Sequence, residues 1–181
     1  MIAPFRGLGN PGPRVLAPRE RGGRRRAVVE RYYLEDLAVG RTFTSPSREI
    51  TAAAIKAFAA DFDPQPFHLD EAAAADTFFG GLAASGWHTA ALTMRLLVDG
   101  GLPLAGGSIG AGGEIRWPQP TRPGDVLTVT STIESIRPSR SRPDRGMVKV
   151  RSETRNQRGE TVQTLVSTVI AFRRPVAGDA G

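Results

Sequence analysis

The feature that most constrains this chain is a change of pattern near its middle. Residues 51–101 are alanine- and leucine-rich and read as helices. Residues 109–172 are rich in Val, Ile and Thr and alternate as strands do. Helices first and strands afterwards define an α+β protein with an antiparallel sheet. Thr51 can cap a helix over roughly 51–61, and Pro64 and Pro66 forbid helix over 62–67 and make it a tight extended loop. Asp70 opens a second short helix, which Gly80-Gly81 breaks. A third runs from Gly86 to about Asp99, apolar on most sides and therefore expected to be buried, and ends at Gly100-Gly101. Four strands follow, at 109–117, 126–136, 147–156 and 161–172. Arg122-Pro-Gly-Asp125 and Gln157-Arg-Gly-Glu160 supply turns, and Arg137–Arg145 reads as a solvated surface loop. One apolar helix and a meander of long strands suggest a sheet curled around that helix.

Charge separates a leading segment from the rest. Residues 1–31 carry eight Arg against Glu20 and Glu30, while 32–181 carry 16 basic and 16 acidic residues. The net charge of +6 therefore belongs to the first segment, and the domain itself gives no reason to expect nucleic acid. Four prolines, five glycines and no apolar periodicity make this segment a disordered tail; a misassigned start codon is an alternative reading. Gly7-Leu-Gly9-Asn-Pro-Gly12 has the letters of a dinucleotide fingerprint. No strand precedes it, and Pro11 and Pro13 obstruct the helix it requires. The resulting division is a basic tail over 1–31, a domain over 32–174 and a short tail over 175–181. No apolar run suits a signal peptide or a membrane span, so no membrane partner and a cytoplasmic location are expected. The chain has no cysteine, which excludes disulfides, Cys-based zinc sites and thiol nucleophiles.

Only His68 and His88 can move protons near neutral pH. Asp63 lies five residues before His68, across Pro64-Gln-Pro66-Phe. In a proline-stiffened loop the two side chains can converge as a general acid/base pair. The alternative is an Asp that caps the next helix and a His satisfied by a backbone carbonyl. Ser85-Gly86-Trp87-His88 begins the most apolar helix. Its unpaired amides, approachable at Gly86, suit a developing oxyanion, while Ser85 caps the helix.

These residues carry a resemblance. Asp63-Pro-Gln-Pro-Phe-His68-Leu-Asp70 resembles the Asp-x-Asn-Pro-x-His-x-Asp signature of the MaoC-like dehydratases and R-specific enoyl-CoA hydratases. Ala84-Ser-Gly-Trp-His-Thr89 is similar to the family's segment at the start of its central helix. Gly113–Asp125 looks like its strand and turn. The resemblance spans roughly 32–174 and implies a hot-dog fold, a long central helix wrapped by an antiparallel sheet. It implies reversible hydration of a trans-2-enoyl thioester, on CoA or a carrier protein, to a 3-hydroxyacyl thioester. Asp63 and His68 fall on the catalytic pair, and Gly86 on the glycine whose amide polarises the thioester carbonyl. Gln65 replaces the usual Asn, and Trp87 a slimmer residue. Gln65, Ser85 and Trp87 are expected to line the substrate site. His88 has no counterpart in the signature and is read as structural. No metal and no cofactor are implied beyond the CoA of the substrate, and a homodimer or larger homo-oligomer is expected. The rivals are a hot-dog acyl-CoA thioesterase and a non-catalytic acyl-CoA-binding protein.

Overall fold

In the computed structural model, residues 30–175 are described. The expected basic tail therefore lies almost wholly outside the described residues, as does most of the expected C-terminal tail. Helix α1 spans Ala52–Phe62, and Thr51 caps it by accepting a hydrogen bond from the Ala54 N–H at 3.2 Å. The stretch after it corrects the expectation of an extended loop over 62–67: Pro66 opens a one-turn helix, α2, over Pro66–Leu69. Proline is disfavoured inside a helix but suits the first helical position, where its missing N–H costs nothing. Asp70 caps α3, Glu71–Ala75, accepting from the Ala73 N–H at 2.8 Å. Helix α4 covers Gly86–Leu96 and passes into a wider π-type turn, Leu97–Gly101, where Gly100 takes φ 151°. The α-helix thus stops three residues short of the expected end.

The sheet contains β1 (Thr42–Thr44), β2 (Arg48–Glu49), β3 (Ile109–Arg116), β4 (Val126–Pro138), β5 (Arg145–Arg155) and β6 (Thr161–Phe172). The order is β1-β4-β5-β6-β3, with β2 also on β4, and every pairing between these strands is antiparallel. Arg137, Pro138 and Arg145 belong to β4 and β5, so the Arg-rich hairpin loop is shorter than expected. A 3₁₀ turn at Leu34–Asp36, β1 and β2 have no counterpart in the sequence reading.

Leu96 and Leu97 at the end of α4 pack on Leu127, Val129, Val148, Val150 and Val162 of the sheet. Ile50, Ile55, Leu82 and Ala84 form a smaller cluster. This is the helix-and-sheet arrangement of the hot-dog fold. One expectation is corrected. Helix α4 is not covered on all sides, since Trp87 and Met94 are 63% and 46% exposed. Its inward face is partly polar: the Thr93 and Thr154 hydroxyls lie 2.7 Å apart and are fully buried. Among the described residues strand β3 pairs with β6 on one edge only.

Candidate functional site

Helix α1 ends at Asp63 because Pro64 disfavours helical backbone in the residue before it; Asp63 takes φ −154° and ψ 69°. Its N–H still donates to Ala59 O at 2.9 Å, which fixes the side chain just beyond the helix end. The single turn of α2 then carries His68 inward, where it is 4% exposed. His68 Nδ1 lies 2.7 Å from Ala83 O. A carbonyl only accepts, so Nδ1 carries the proton and the neutral ring has a bare Nε2. That nitrogen faces Asp63 Oδ2 at 3.4 Å, longer than a good direct hydrogen bond.

The Asp63 carboxylate has two other polar neighbours. Gln65 Nε2 donates to Oδ1 at 2.7 Å, and Ser85 lines the same cavity beside it. Partial burial pushes the Asp63 pKa up. The hydrogen bonds from Ser85 and Gln65, and the charge of His68 when its ring is protonated, more than offset this, and the group lies below its ordinary value. The carboxylate is therefore the form present at neutral pH.

Ser85 caps α4, accepting from the Trp87 N–H at 3.2 Å. Gly86 is the first helical residue, where backbone amides lack intrahelical partners. A Cβ at this position would meet the Trp117 ring at 2.9–3.1 Å, so only glycine lets the indole pack against the helix start. All six expected site residues, Asp63, Gln65, His68, Ser85, Gly86 and Trp87, line one cavity of about 560 Å³. They supply a carboxylate, a bare imidazole nitrogen and a helix N-terminus in one largely apolar space.

Sequence reasoning missed the opposite wall and its support. Phe67, Phe79, Trp117 and Thr121 also line the cavity. The Arg122 guanidinium donates to Gly81 O at 2.8 Å, to Leu82 O at 3.2 Å and to Phe79 O. This anchors the segment leading to Ala83, whose carbonyl fixes the His68 tautomer. The Arg122–Asp125 stretch was legible as a turn; the reach of its arginine was not. His88 is not part of the cavity lining. It stacks on Phe58 at 4.6 Å, its Nδ1 is buried without a partner among the described residues, and burial lowers its pKa.

A helix wrapped by an antiparallel sheet, with an Asp–His pair beside the helix start, defines a hot-dog protein of the dehydratase type. Residues 36–156 match the family described as MaoC like domain, and the chain belongs to that family. It is similar to the MaoC-like dehydratase from Rhodospirillum rubrum, with 64% identity and a TM-score of 0.79, covering 80% of this chain and 99% of that one. It is also similar to the (R)-hydratase from A. caviae involved in PHA biosynthesis, with 30% identity and a TM-score of 0.62, covering 78% of this chain and 99% of that one. A 3-hydroxybutyryl-CoA dehydratase from Methylorubrum extorquens is 35% identical over 112 residues, 61% of this chain and 69% of that protein.

Proposed function

We propose that the protein is a hydro-lyase that reversibly adds water to a trans-2-enoyl thioester, giving a 3-hydroxyacyl thioester. The observation that carries this reading is the placement of Asp63 Oδ2 and His68 Nε2, 3.4 Å apart, in the same cavity as the first amides of α4. One water held between the two groups is consumed. His68 Nε2 takes a proton from it as the water oxygen bonds to the β-carbon. The double-bond electrons move through the α-carbon onto the thioester oxygen, against the Gly86 N–H. The enolate then takes the proton from His68 Nε2 at the α-carbon, which restores the neutral ring. Asp63 stays ionised throughout, orients the water and stabilises the transient imidazolium. Gln65 holds the Asp63 carboxylate in place, and Gln65 and Ser85 both favour its ionised form.

The steps balance with water and the enoyl thioester alone, so the reading assigns no cofactor; CoA or a carrier protein is the substrate's handle. A cytoplasmic setting goes with such substrates; among the described residues no helix is long and apolar enough to cross a membrane. We also propose that the chain works as a homodimer. Product analysis tests the reaction. Crotonyl-CoA should give 3-hydroxybutyryl-CoA of one configuration, with no free CoA released from butyryl-CoA. Release of CoA from the saturated thioester, without hydration of the unsaturated one, would make the protein a thioesterase.

A further inference from the structure

We infer that Trp117 sets the length of the acyl group: locked by Gln163 against the start of α4, it closes the acyl end of the cavity and confines the substrate to short chains. This rests on the hydratase reading, which places the thioester carbonyl at the Gly86 N–H. Trp117 is the first residue past β3, and its ring lies directly on the Gly86 backbone. It is held there from two sides. The indole Nε1–H donates to Gln163 Oε1 at 2.9 Å, and the ring meets Trp87 edge-on at 5.6 Å.

Gln163 is fully buried on β6, and its Nε2 has no acceptor among the described residues. A buried donor left without a partner costs stability. A residue that only filled the core would avoid that cost; what this amide supplies in return is a fixed indole. Beyond Gly86 the cavity wall also presents Thr89 and Thr121, whose hydroxyls lie 2.9 Å apart and are buried. The Thr89 hydroxyl donates to that of Thr121, so this part of the wall is polar and offers methylene groups less apolar surface than Phe67 and Phe79 do. On this inference an acyl chain longer than a few carbons displaces the indole and breaks its bond to Gln163.

The test is a chain-length series of trans-2-enoyl-CoAs, from crotonyl to decenoyl, with wild type, Trp117→Leu and Gln163→Met. Wild type should favour crotonyl over decenoyl in kcat/KM by at least about tenfold, the scale on which a pocket resolves methylene groups. Trp117→Leu should raise the decenoyl-to-crotonyl ratio by about tenfold or more, mostly through KM. Gln163→Met keeps the core volume, removes the lock and should shift the ratio the same way by less. If Trp117→Leu fails to fold, Gln163→Met carries the test. Equal or better hydration of decenoyl-CoA by wild type would overturn the inference, as would variants that slow every substrate alike. If wild type hydrates no enoyl-CoA, the hydratase reading fails separately. Calorimetric affinities for butyryl- and decanoyl-CoA then test the wall: tighter binding of butyryl-CoA supports it, and equal or tighter binding of decanoyl-CoA sinks it.

Discussion

His88 shows what burial does to a titrating side chain with no partner. Its ring stacks on Phe58, its Nδ1 is unsatisfied, and burial depresses its pKa. Above the ordinary imidazole value of 6.5, folded and unfolded chains both hold it neutral. Below that value the unfolded chain binds a proton that the buried ring resists, so stability falls as pH falls. His88→Phe keeps an aromatic stack and removes the titration. Urea midpoints should therefore drop less between about pH 7.5 and pH 5.5 in the variant than in wild type. An unchanged drop would show that other groups dominate. In the proposed mechanism Asp63 and His68 act on one water, so their losses should not add: Asp63→Asn with His68→Ala should be little slower than either single variant. The convergence of these two residues was legible because two prolines stiffen a five-residue separation. The pairing of Trp117 with Gln163 was not, since 46 positions separate them. Nothing in either local sequence points to the other.

Among the elements, the segment from Phe79 to Ala83 has no regular structure of its own and depends on Arg122. Arg122→Met retains much of the length and removes the donors to three carbonyls. Hydrogen bonds from a charged group contribute about 1.5–3 kcal/mol each at most, so a stability loss of about 1–3 kcal/mol is expected. Activity should fall further than unfolding explains, because Ala83 O orients His68. Chemical denaturation together with initial rates separates the two effects; a variant as stable and as active as wild type would refute the anchoring role. The long strands were legible from their alternation, and the two longer helices from their alanine and leucine content, the Thr51 cap and the closing glycines. Strands β1 and β2 were not, because three and two residues carry no period. The short α2 was misread because Pro66 was weighed as a helix breaker and not as a helix opener.

For the whole molecule, the isolated protomer leaves two features open. Among the described residues strand β3 has a free edge, and α4 and the turn after it expose Trp87, Met94 and Val98. Bare sheet edges and apolar faces favour pairing, and two-fold dimers are the commonest outcome. Sedimentation at micromolar concentration should show a species of twice the 19.3 kDa chain. A species of chain mass alone would contradict the proposed homodimer. The helix-in-sheet architecture was legible because it needs only the order of the elements and one apolar helix. The open face of α4 was not, since the same apolar residues serve a core or an interface equally well.

The central claim is that Asp63 and His68 carry the chemistry, and crotonyl-CoA hydration by Asp63→Asn tests it most directly. The change is nearly isosteric and removes the charge that orients water and stabilises the imidazolium. Activity should fall by about 10²–10⁴-fold, with the thermal midpoint and the circular dichroism spectrum preserved. A rate within about threefold of wild type would contradict the account.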